Sequence, residues 1–434
     1  MGTLKFSMSM LKKEYKKSIL YTLTLCLTIA IIFFFFNIID IFRLMNENEA
    51  ALMSMGGSDI SGSSILSFII ILFCACMIIF ANNFYLSRKS KEMAILTMTG
   101  SSFINITLYL FYQNLVMTFI AFPLGMVLGN CLSMIINQII YYYMNVSGSL
   151  WYFPMNATFN TLLSVIAIIF AQLIYASGYV YRKDINYLLS QQDRQVLKDH
   201  RIIRLPSFFY MFVYIFGLVI LWTSPYTSTV AVVPCFMGSL TMAGMIKYCF
   251  PKIFKALKEH SLLANKIQLI SLSHLYYSLT RSYTLISLFS ISSSLMIAIM
   301  ITLKDNFREF ITTIIGFIVI MFLLLASLLY KYSMESSSQK IAYYNLYKIG
   351  YSSKQLYKII KNEVIGFYGI LLLLPMIYIM SSLGLSYYYQ DISLTLFCSV
   401  VCVLVVAVCL TGILTYILYK KSIMSVLKEG MRYE

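Results

Sequence analysis

The sequence is poor in charge. Asp, Glu, Lys and Arg make up 12% of the 434 residues, whereas ordinary soluble domains carry about 25%. Apolar residues make up 60% and are arranged in runs of about 20, the length that crosses a hydrocarbon core about 30 Å thick. A soluble particle could not cover its surface with so little charge. The composition therefore excludes a soluble enzyme and predicts an all-α polytopic membrane protein with about ten transmembrane helices.

The centres of the apolar runs contain no Asp, Glu, Lys, Arg or His. Ion-coupled secondary transporters and intramembrane hydrolases usually place titratable groups there, because the coupled ion or the reaction requires them. The chain also lacks a Gly-x-x-x-x-Gly-Lys-Ser/Thr phosphate loop, so we do not expect it to hydrolyse ATP itself. The ten predicted spans cover residues about 19–39, 62–86, 110–133, 157–181, 207–223, 228–249, 283–303, 310–331, 363–385 and 393–419.

The nine cysteines show no spacing that is typical of a disulfide framework or a zinc site. All of them lie inside apolar runs, where cysteine packs as a small hydrophobic side chain. Cys74 and Cys76 form the closest pair, but no His or acidic residue lies near them. We therefore expect no metal site and no catalytic residue.

The basic residues are distributed unevenly between the two sides of the membrane. Only Arg43, Lys304 and Arg308, of 33 Lys and Arg residues, fall in loops on the predicted outside. The positive-inside rule therefore predicts that both termini are cytoplasmic. The net charge of +16 reflects these short basic loops, so we do not expect nucleic acid as a partner.

An internal repeat relates the two ends of the chain. The motif Leu-x-x-x-Gly-x-Ser occurs at Leu96–Ser102 and again, 250 residues later, at Leu346–Ser352. Each copy follows an outside-to-inside span and precedes an inside-to-outside span. We predict a first half at 1–183, a cytoplasmic linker with spans five and six at 184–265, and a second half at 266–434. Equivalent elements are six spans apart, so the halves are expected to share one orientation.

The residues that lead into each glycine are charged at one end and apolar at the other. Arg88–Gly100 and Gln339–Gly350 fit a short amphipathic helix that lies along the inner membrane face and ends in a glycine C-cap. One such segment could be an ordinary interfacial connector, and that interpretation stays open. Two copies at equivalent positions favour a surface that contacts a partner protein twice.

The first copy resembles a known family. Arg88, Lys89, Glu92, Leu96 and Gly100 are similar to the motif of the FtsX-like permease domain of ABC transporters. Gln113 follows in the next span, as it does in that motif. The second copy matches at Leu346, Gly350 and Glu363, but it has Ala342 where the family usually carries an acid.

The ten-span layout is similar to that of the bacitracin-resistance (BceB-type) permeases of Gram-positive bacteria. Those proteins carry a large extracellular domain between spans seven and eight, whereas here only Lys304–Glu309 separates the two spans. The richness of the sequence in Ile, Lys, Asn and Tyr favours a low-GC Gram-positive source. We therefore expect a multi-pass protein of the bacterial plasma membrane.

The resemblance implies that both repeated segments are helices that couple the spans to an ATPase, at about 88–100 and about 339–350. One chain is then expected to bind two copies of an ABC ATPase subunit. That subunit would hold ATP and Mg, and this chain would hold no cofactor. Because the first segment carries more charge, its contact is expected to be the more salt-sensitive. The implied ATPase-coupling residues are Arg88, Lys89, Glu92, Leu96, Gly100, Gln339, Lys340, Leu346 and Gly350.

The expected function is that of a permease subunit that couples ATP hydrolysis by a partner to export or removal of an amphipathic peptide or lipid-like substrate. Resistance or immunity to antimicrobial peptides is the corresponding role. A non-transporting FtsX-like mechanotransmitter or signalling module and an ion-coupled secondary transporter stay open as alternatives. Membrane lipid is an expected partner, and a sensor histidine kinase is a candidate because bacitracin-type permeases associate with such kinases.

Overall fold

A computed structural model describes residues 3–13, 15–52, 62–144, 154–181, 206–223, 232–260, 266–304 and 307–430. Every regular element within these ranges is a helix, which confirms the predicted all-α fold. A π-helical turn, Met245–Cys249, joins the helix Val232–Gly244 to the helix Phe250–His260. The α-helices are α1 (Thr3–Lys13), α2 (Tyr15–Leu52), α3 (Gly62–Met98), α4 (Phe103–Met144), α5 (Met155–Tyr181), α6 (Ser207–Thr223), α7 (Val232–Gly244), α8 (Phe250–His260), α9 (Lys266–Thr302), α10 (Phe307–Lys348), α11 (Ser353–Tyr388) and α12 (Leu394–Gly430).

Eight stretches of the described residues are helical, long and apolar enough to cross a membrane, and they coincide with eight of the ten predicted spans. The other two predicted spans, the second and the fifth, fall on the shorter apolar helical stretches Ile69–Asn83 and Ser207–Thr223. The chain is therefore a multi-pass membrane protein.

The chain divides into two compact units, Met1–Lys198 and Asp199–Glu434. The first unit contains α1 to α5, and the second contains α6 to α12. Spans five and six thus group with the second half of the chain. The proposed equivalence of the two halves, and their shared orientation, stay predictions.

In the first unit, α2 is the central helix and packs against α3, α4 and α5. Its closest neighbour is α4, which approaches through Gly125 and Gly129. A Cβ atom at Gly129 would lie 2.7 Å from the carbonyl oxygen of Ala30, and one at Gly125 would lie 2.9 Å from that of Cys26. Small residues four apart allow two helix backbones to touch inside a membrane. The pair α2–α4 is therefore held by direct backbone contact.

In the second unit, α9 packs most closely against α11, and α10 packs against α12. The hairpin of α6 and α7 packs on this group mainly by contact of α7 with α9, and it also contacts Tyr378 of α11. The Tyr378 ring fills the space above Gly217 and Gly238, and its hydroxyl donates to the carbonyl oxygen of Tyr214. The Tyr214 hydroxyl donates in return to the carbonyl oxygen of Leu374 at 3.0 Å. Because glycine has no side chain, Gly217 and Gly238 leave the recess that the Tyr378 ring fills.

The repeated segments are not the separate short helices that the sequence suggested. The first is the last part of α3, which has 37 residues, and the second is the last part of α10, which has 42. A helix of 37 residues is about 55 Å long, and therefore projects well beyond a hydrocarbon core of about 30 Å. The reason is local, because residues 84–98 and 330–348 contain neither glycine nor proline to interrupt the helix.

Candidate functional site

Each copy of the repeated motif forms a turn between two long helices. We define the first elbow as residues 95–105, which join α3 to α4, and the second elbow as residues 345–355, which join α10 to α11. Gly100 has φ +83° and Gly350 has φ +103°. Glycine adopts this left-handed conformation without the steric cost that a Cβ atom imposes.

Backbone hydrogen bonds close the first elbow. The Gly100 N–H donates to the carbonyl of Thr97 at 3.1 Å, and the Ser101 N–H donates to the carbonyl of Leu96 at 3.0 Å. This pair of bonds is a Schellman motif, which satisfies the last carbonyl groups of a helix. The Ser102 hydroxyl then accepts from the backbone N–H three residues later at 3.4 Å, and so caps the start of α4.

The second elbow is built in the same way. The Gly350 N–H donates to the carbonyl of Tyr347 at 2.9 Å, and the next N–H reaches the carbonyl of Leu346 at 3.2 Å. Ser352 and Gln355 form a reciprocal capping box at the start of α11. The repeated Leu-x-x-x-Gly-x-Ser pattern is thus explained by the backbone, because it places the C-cap glycine and the N-cap serine of one tight turn.

Two charged residues of the first segment, Lys89 and Glu92, make contacts within their unit. Lys89 is 2% exposed, and its Nζ atom lies 2.9 Å from both carboxylate oxygens of Glu92. The Tyr109 hydroxyl of α4 donates to the same carboxylate at 2.8 Å. Leu96 packs against a buried cluster contributed by α3, α4 and α5. These side chains therefore brace the base of the first elbow, and their contact with an ATPase stays a prediction.

The corresponding part of the second unit contains a larger polar network. Gln339 lies 3.3 Å from the Nδ1 atom of His274 and accepts from the hydroxyl of Tyr419. The Tyr343 hydroxyl donates to Glu363 at 3.2 Å, and the same carboxylate oxygen lies 4.0 Å from His274. These residues come from α9, α10, α11 and α12. The network therefore connects the four helices at the base of the second elbow.

Two of the predicted coupling residues, Arg88 and Lys340, have side chains outside the described part of the structure. Leu346 is half-buried at the end of α10, and Gly350 is exposed. Ala342, which replaces the acid of the first copy, is exposed as well. The contact of these residues with a partner also stays a prediction.

The outer surface of the first elbow is uncharged and carries large exposed apolar side chains beside small polar ones. Ile95 is 57% exposed, Met98 58% and Ile104 66%. At the same apolar end of the segment, Met93 is fully buried and Leu96 packs inward. The spacing of three residues between Ile95 and Met98 was the signal for a separate outer face.

The outer surface of the second elbow has a different chemistry. Its exposed side chains include Asn345, Lys348, Lys354 and Gln355, together with one large apolar residue, Ile349, which is 75% exposed. The two elbows therefore share a backbone design and differ in the surface that they present.

Comparison with known proteins finds a family similarity in the first unit. The pattern of the family described as FtsX-like permease C-terminal matches residues 64–185, which include most of α3, the first elbow, α4 and α5. This part of the chain is therefore similar to the FtsX-like permease domain, the same family that the residues around Gly100 resemble.

A particular relative can also be named. The chain is similar to the bacitracin export permease protein BceB of Bacillus subtilis (strain 168), with 24% identity over 220 residues. The similarity covers 50% of this chain and 32% of that protein. The chain thus spans about a third of the length of the curated relative that it matches.

Proposed function

We propose that this chain is the membrane-spanning permease subunit of an ABC transporter, moved by a separate ATPase that docks on the elbows. The observation that carries the proposal is the exposed apolar surface of the first elbow. Ile95 and Met98 lie 12 and 15 residues past the end of the apolar stretch Ile69–Asn83, which corresponds to roughly 18 and 22 Å along a helix. Exposed apolar side chains outside the hydrocarbon are typical of a surface that binds another protein.

The helices give such a docking surface a direct connection to the membrane. α3 passes without a break from the first elbow into span two, and α4 passes from the elbow into span three. Glu92 of α3, held by Lys89 on the same helix, accepts a hydrogen bond from the Tyr109 hydroxyl of α4, which joins the two helices just beside the elbow. A displacement of the elbow is therefore transmitted to both spans together, since the two helices cannot slide past each other without breaking this bond.

The ATPase subunit supplies the nucleotide chemistry, with its own ATP and Mg, and this chain supplies the path across the membrane. Two elbows on one chain support a complex of one permease with two ATPase subunits. The uncharged centres of the spans favour an amphipathic peptide or a lipid-like substrate over a polar solute. Both termini are proposed to be cytoplasmic, on the side of the elbows.

The test is co-purification of the full-length chain from its native membrane, followed by native mass spectrometry. We expect a P-loop ATPase in a ratio of two per permease chain. The double variant Met98→Asp/Ile104→Asp is expected to keep one ATPase subunit. Loss of two apolar contacts of about 1.5 kcal/mol or more each weakens the first contact at least about a hundredfold.

Met8→Asp is the matched control. Met8 is 42% exposed on α1 of the same unit and is not one of the elbow residues 95–105, so the same change of chemistry is expected to leave both ATPase subunits bound. Thermal unfolding of all variants checks that the fold is intact. A wild-type chain without an ATPase, or a folded double variant that retains two, would contradict the proposed docking surface.

A further inference from the structure

The two elbows present opposite chemistry at equivalent positions. Resting on the proposed function, we propose that the second elbow binds an acidic surface of its ATPase subunit through lysines, whereas the first elbow binds an apolar surface. The partner is thereby engaged in two chemically different ways by one chain.

A row of lysines begins at the second elbow and continues along α11. Lys354, Lys358 and Lys361 are exposed and occupy positions i, i+4 and i+7 of α11, so they share one face of the helix. Lys348 is exposed at the end of α10, with its Nζ atom 4.8 Å from the centre of the Tyr344 ring. Within the described part of the chain, none of these four lysines forms a salt bridge. Their charge is therefore available to a partner.

The first elbow has no charged residue in its whole length, 95–105. The offset of 250 pairs Lys348 with Met98 and Lys354 with Ile104. It also pairs Lys358 and Lys361 with the apolar residues 108 and 111, so the entire basic row of α11 is apolar on α4. The difference is thus a substitution at matched positions rather than a difference in fold.

This arrangement reverses the salt dependence that the sequence suggested. The charges of the first segment include Lys89 and Glu92, but these two neutralise each other inside the unit. Contacts between exposed charges are screened by salt, whereas burial of apolar surface is not weakened in this way. The second contact is therefore expected to be the salt-sensitive one.

The positions of Lys348 and Lys354 favour a protein over anionic phospholipid as the partner of these two lysines. Lys354 lies nine residues before Glu363, the first residue of predicted span nine, which corresponds to roughly 14 Å along a helix. The polar layer of a bilayer extends only about 5–8 Å beyond the hydrocarbon on each side. Lys354 and Lys348 therefore reach past the lipid headgroups.

The experiment uses the complex obtained by co-purification and exchanges the paired residues. In native mass spectrometry at 0.05 M and about 0.5 M ammonium acetate, we expect the wild type to lose one of two ATPase subunits at the higher salt. Lys348→Met/Lys354→Ile is expected to weaken the second contact about 3- to 30-fold, from two exposed ion pairs. The reciprocal Met98→Lys/Ile104→Lys is expected to weaken the first contact and leave the second unchanged.

A fluorescein-labelled decaglutamate peptide provides a probe that does not depend on the ATPase. The wild-type chain in nanodiscs of zwitterionic phosphatidylcholine is expected to bind the peptide at low salt, and the lysine variant is expected to bind it about 3- to 30-fold more weakly. Absence of any ATPase in the wild-type preparation would refute the proposed function, while the peptide would still report the acidic preference of the elbow.

Three results would overturn the inference. One is release of both ATPase subunits at the same salt concentration. Another is equal peptide binding by the wild type and the lysine variant. The third is a lysine variant that keeps both ATPase subunits at the higher salt but loses bound phosphatidylglycerol, since this would assign the lysines to the membrane surface.

Discussion

Replacement of Gly129 by alanine tests the backbone contact that organises the first unit. A Cβ atom there would lie 2.7 Å from the Ala30 carbonyl oxygen and 2.9 Å from a ring carbon of Phe33. Favourable contacts between carbon atoms lie at about 3.5–4.0 Å, so α2 and α4 must separate by several tenths of an ångström or more. Overpacking of this kind costs about 1–3 kcal/mol.

Gly178→Ala is the matched control, because nothing lies within 4 Å of a Cβ atom at that position of α5. It reports the gain of up to about 1 kcal/mol that alanine has over glycine in a helix. The difference between the two variants isolates the packing cost. For a unit of this size, each kcal/mol corresponds to about 2–4 °C in the unfolding midpoint, so Gly129→Ala is expected to unfold about 2–12 °C below Gly178→Ala.

The assay is thermal unfolding in detergent with a thiol-reactive fluorogenic dye. Cys26 on α2 and Cys74 on α3 are buried and free, so they react only when the unit opens. Equal midpoints for the wild type, Gly129→Ala and Gly178→Ala would refute the argument, since α2 and α4 would then have room for a methyl group between them.

Three further predictions follow from the topology and the packing. Cysteine introduced at Ser58 is expected to react with an impermeant maleimide in intact cells, and cysteine at Ser190 only after permeabilisation; the opposite pattern would reverse the assigned orientation. A double-mutant cycle of Glu92→Gln and Tyr109→Phe, measured by thermal unfolding, is expected to give a coupling free energy of about 1–2 kcal/mol, because the hydrogen bond is made to a charged group. If the two substitutions change the free energy of unfolding additively, this bond does not brace α3 against α4. Gly238→Ala is expected to destabilise the second unit by about 1–3 kcal/mol by displacing the Tyr378 ring, and an unchanged unfolding midpoint would mean that the recess is not needed.

Much of the fold could be read from the sequence because membrane spans depend on composition alone. Runs of apolar residues without charge identify helices, and the repeated Gly100 and Gly350 identify the turns between them. The sequence did not indicate that α3 continues without a break into the segment before Gly100. The change from apolar to charged residues at Arg88 was interpreted as a break in the helix, although hydropathy changes at a membrane surface without any change in the backbone.

The candidate site was harder to predict, because a sequence pattern does not say which partner satisfies a charge. Glu92 was expected to contact the ATPase, and that contact stays a prediction; what the spacing did not indicate is that its carboxylate is paired with Lys89 and Tyr109. The helical spacing of Lys89 and Glu92 is equally compatible with an exposed pair and a buried one. Only the position of Tyr109 on the neighbouring helix distinguishes the two, and that position depends on the tertiary structure.

The way in which the elbows are closed has a consequence for how a duplicated chain can diversify. Each turn depends on its glycine, its serine and bonds among its own backbone groups. The outward side chains of Met98, Ile104, Lys348 and Lys354 take no part in those bonds. Mutation can therefore exchange methionine for lysine there without loss of shape, and each copy is free to acquire its own specificity. A gene duplication on this scaffold yields two independently adjustable connectors, in contrast to a symmetric dimer, in which every change is made twice.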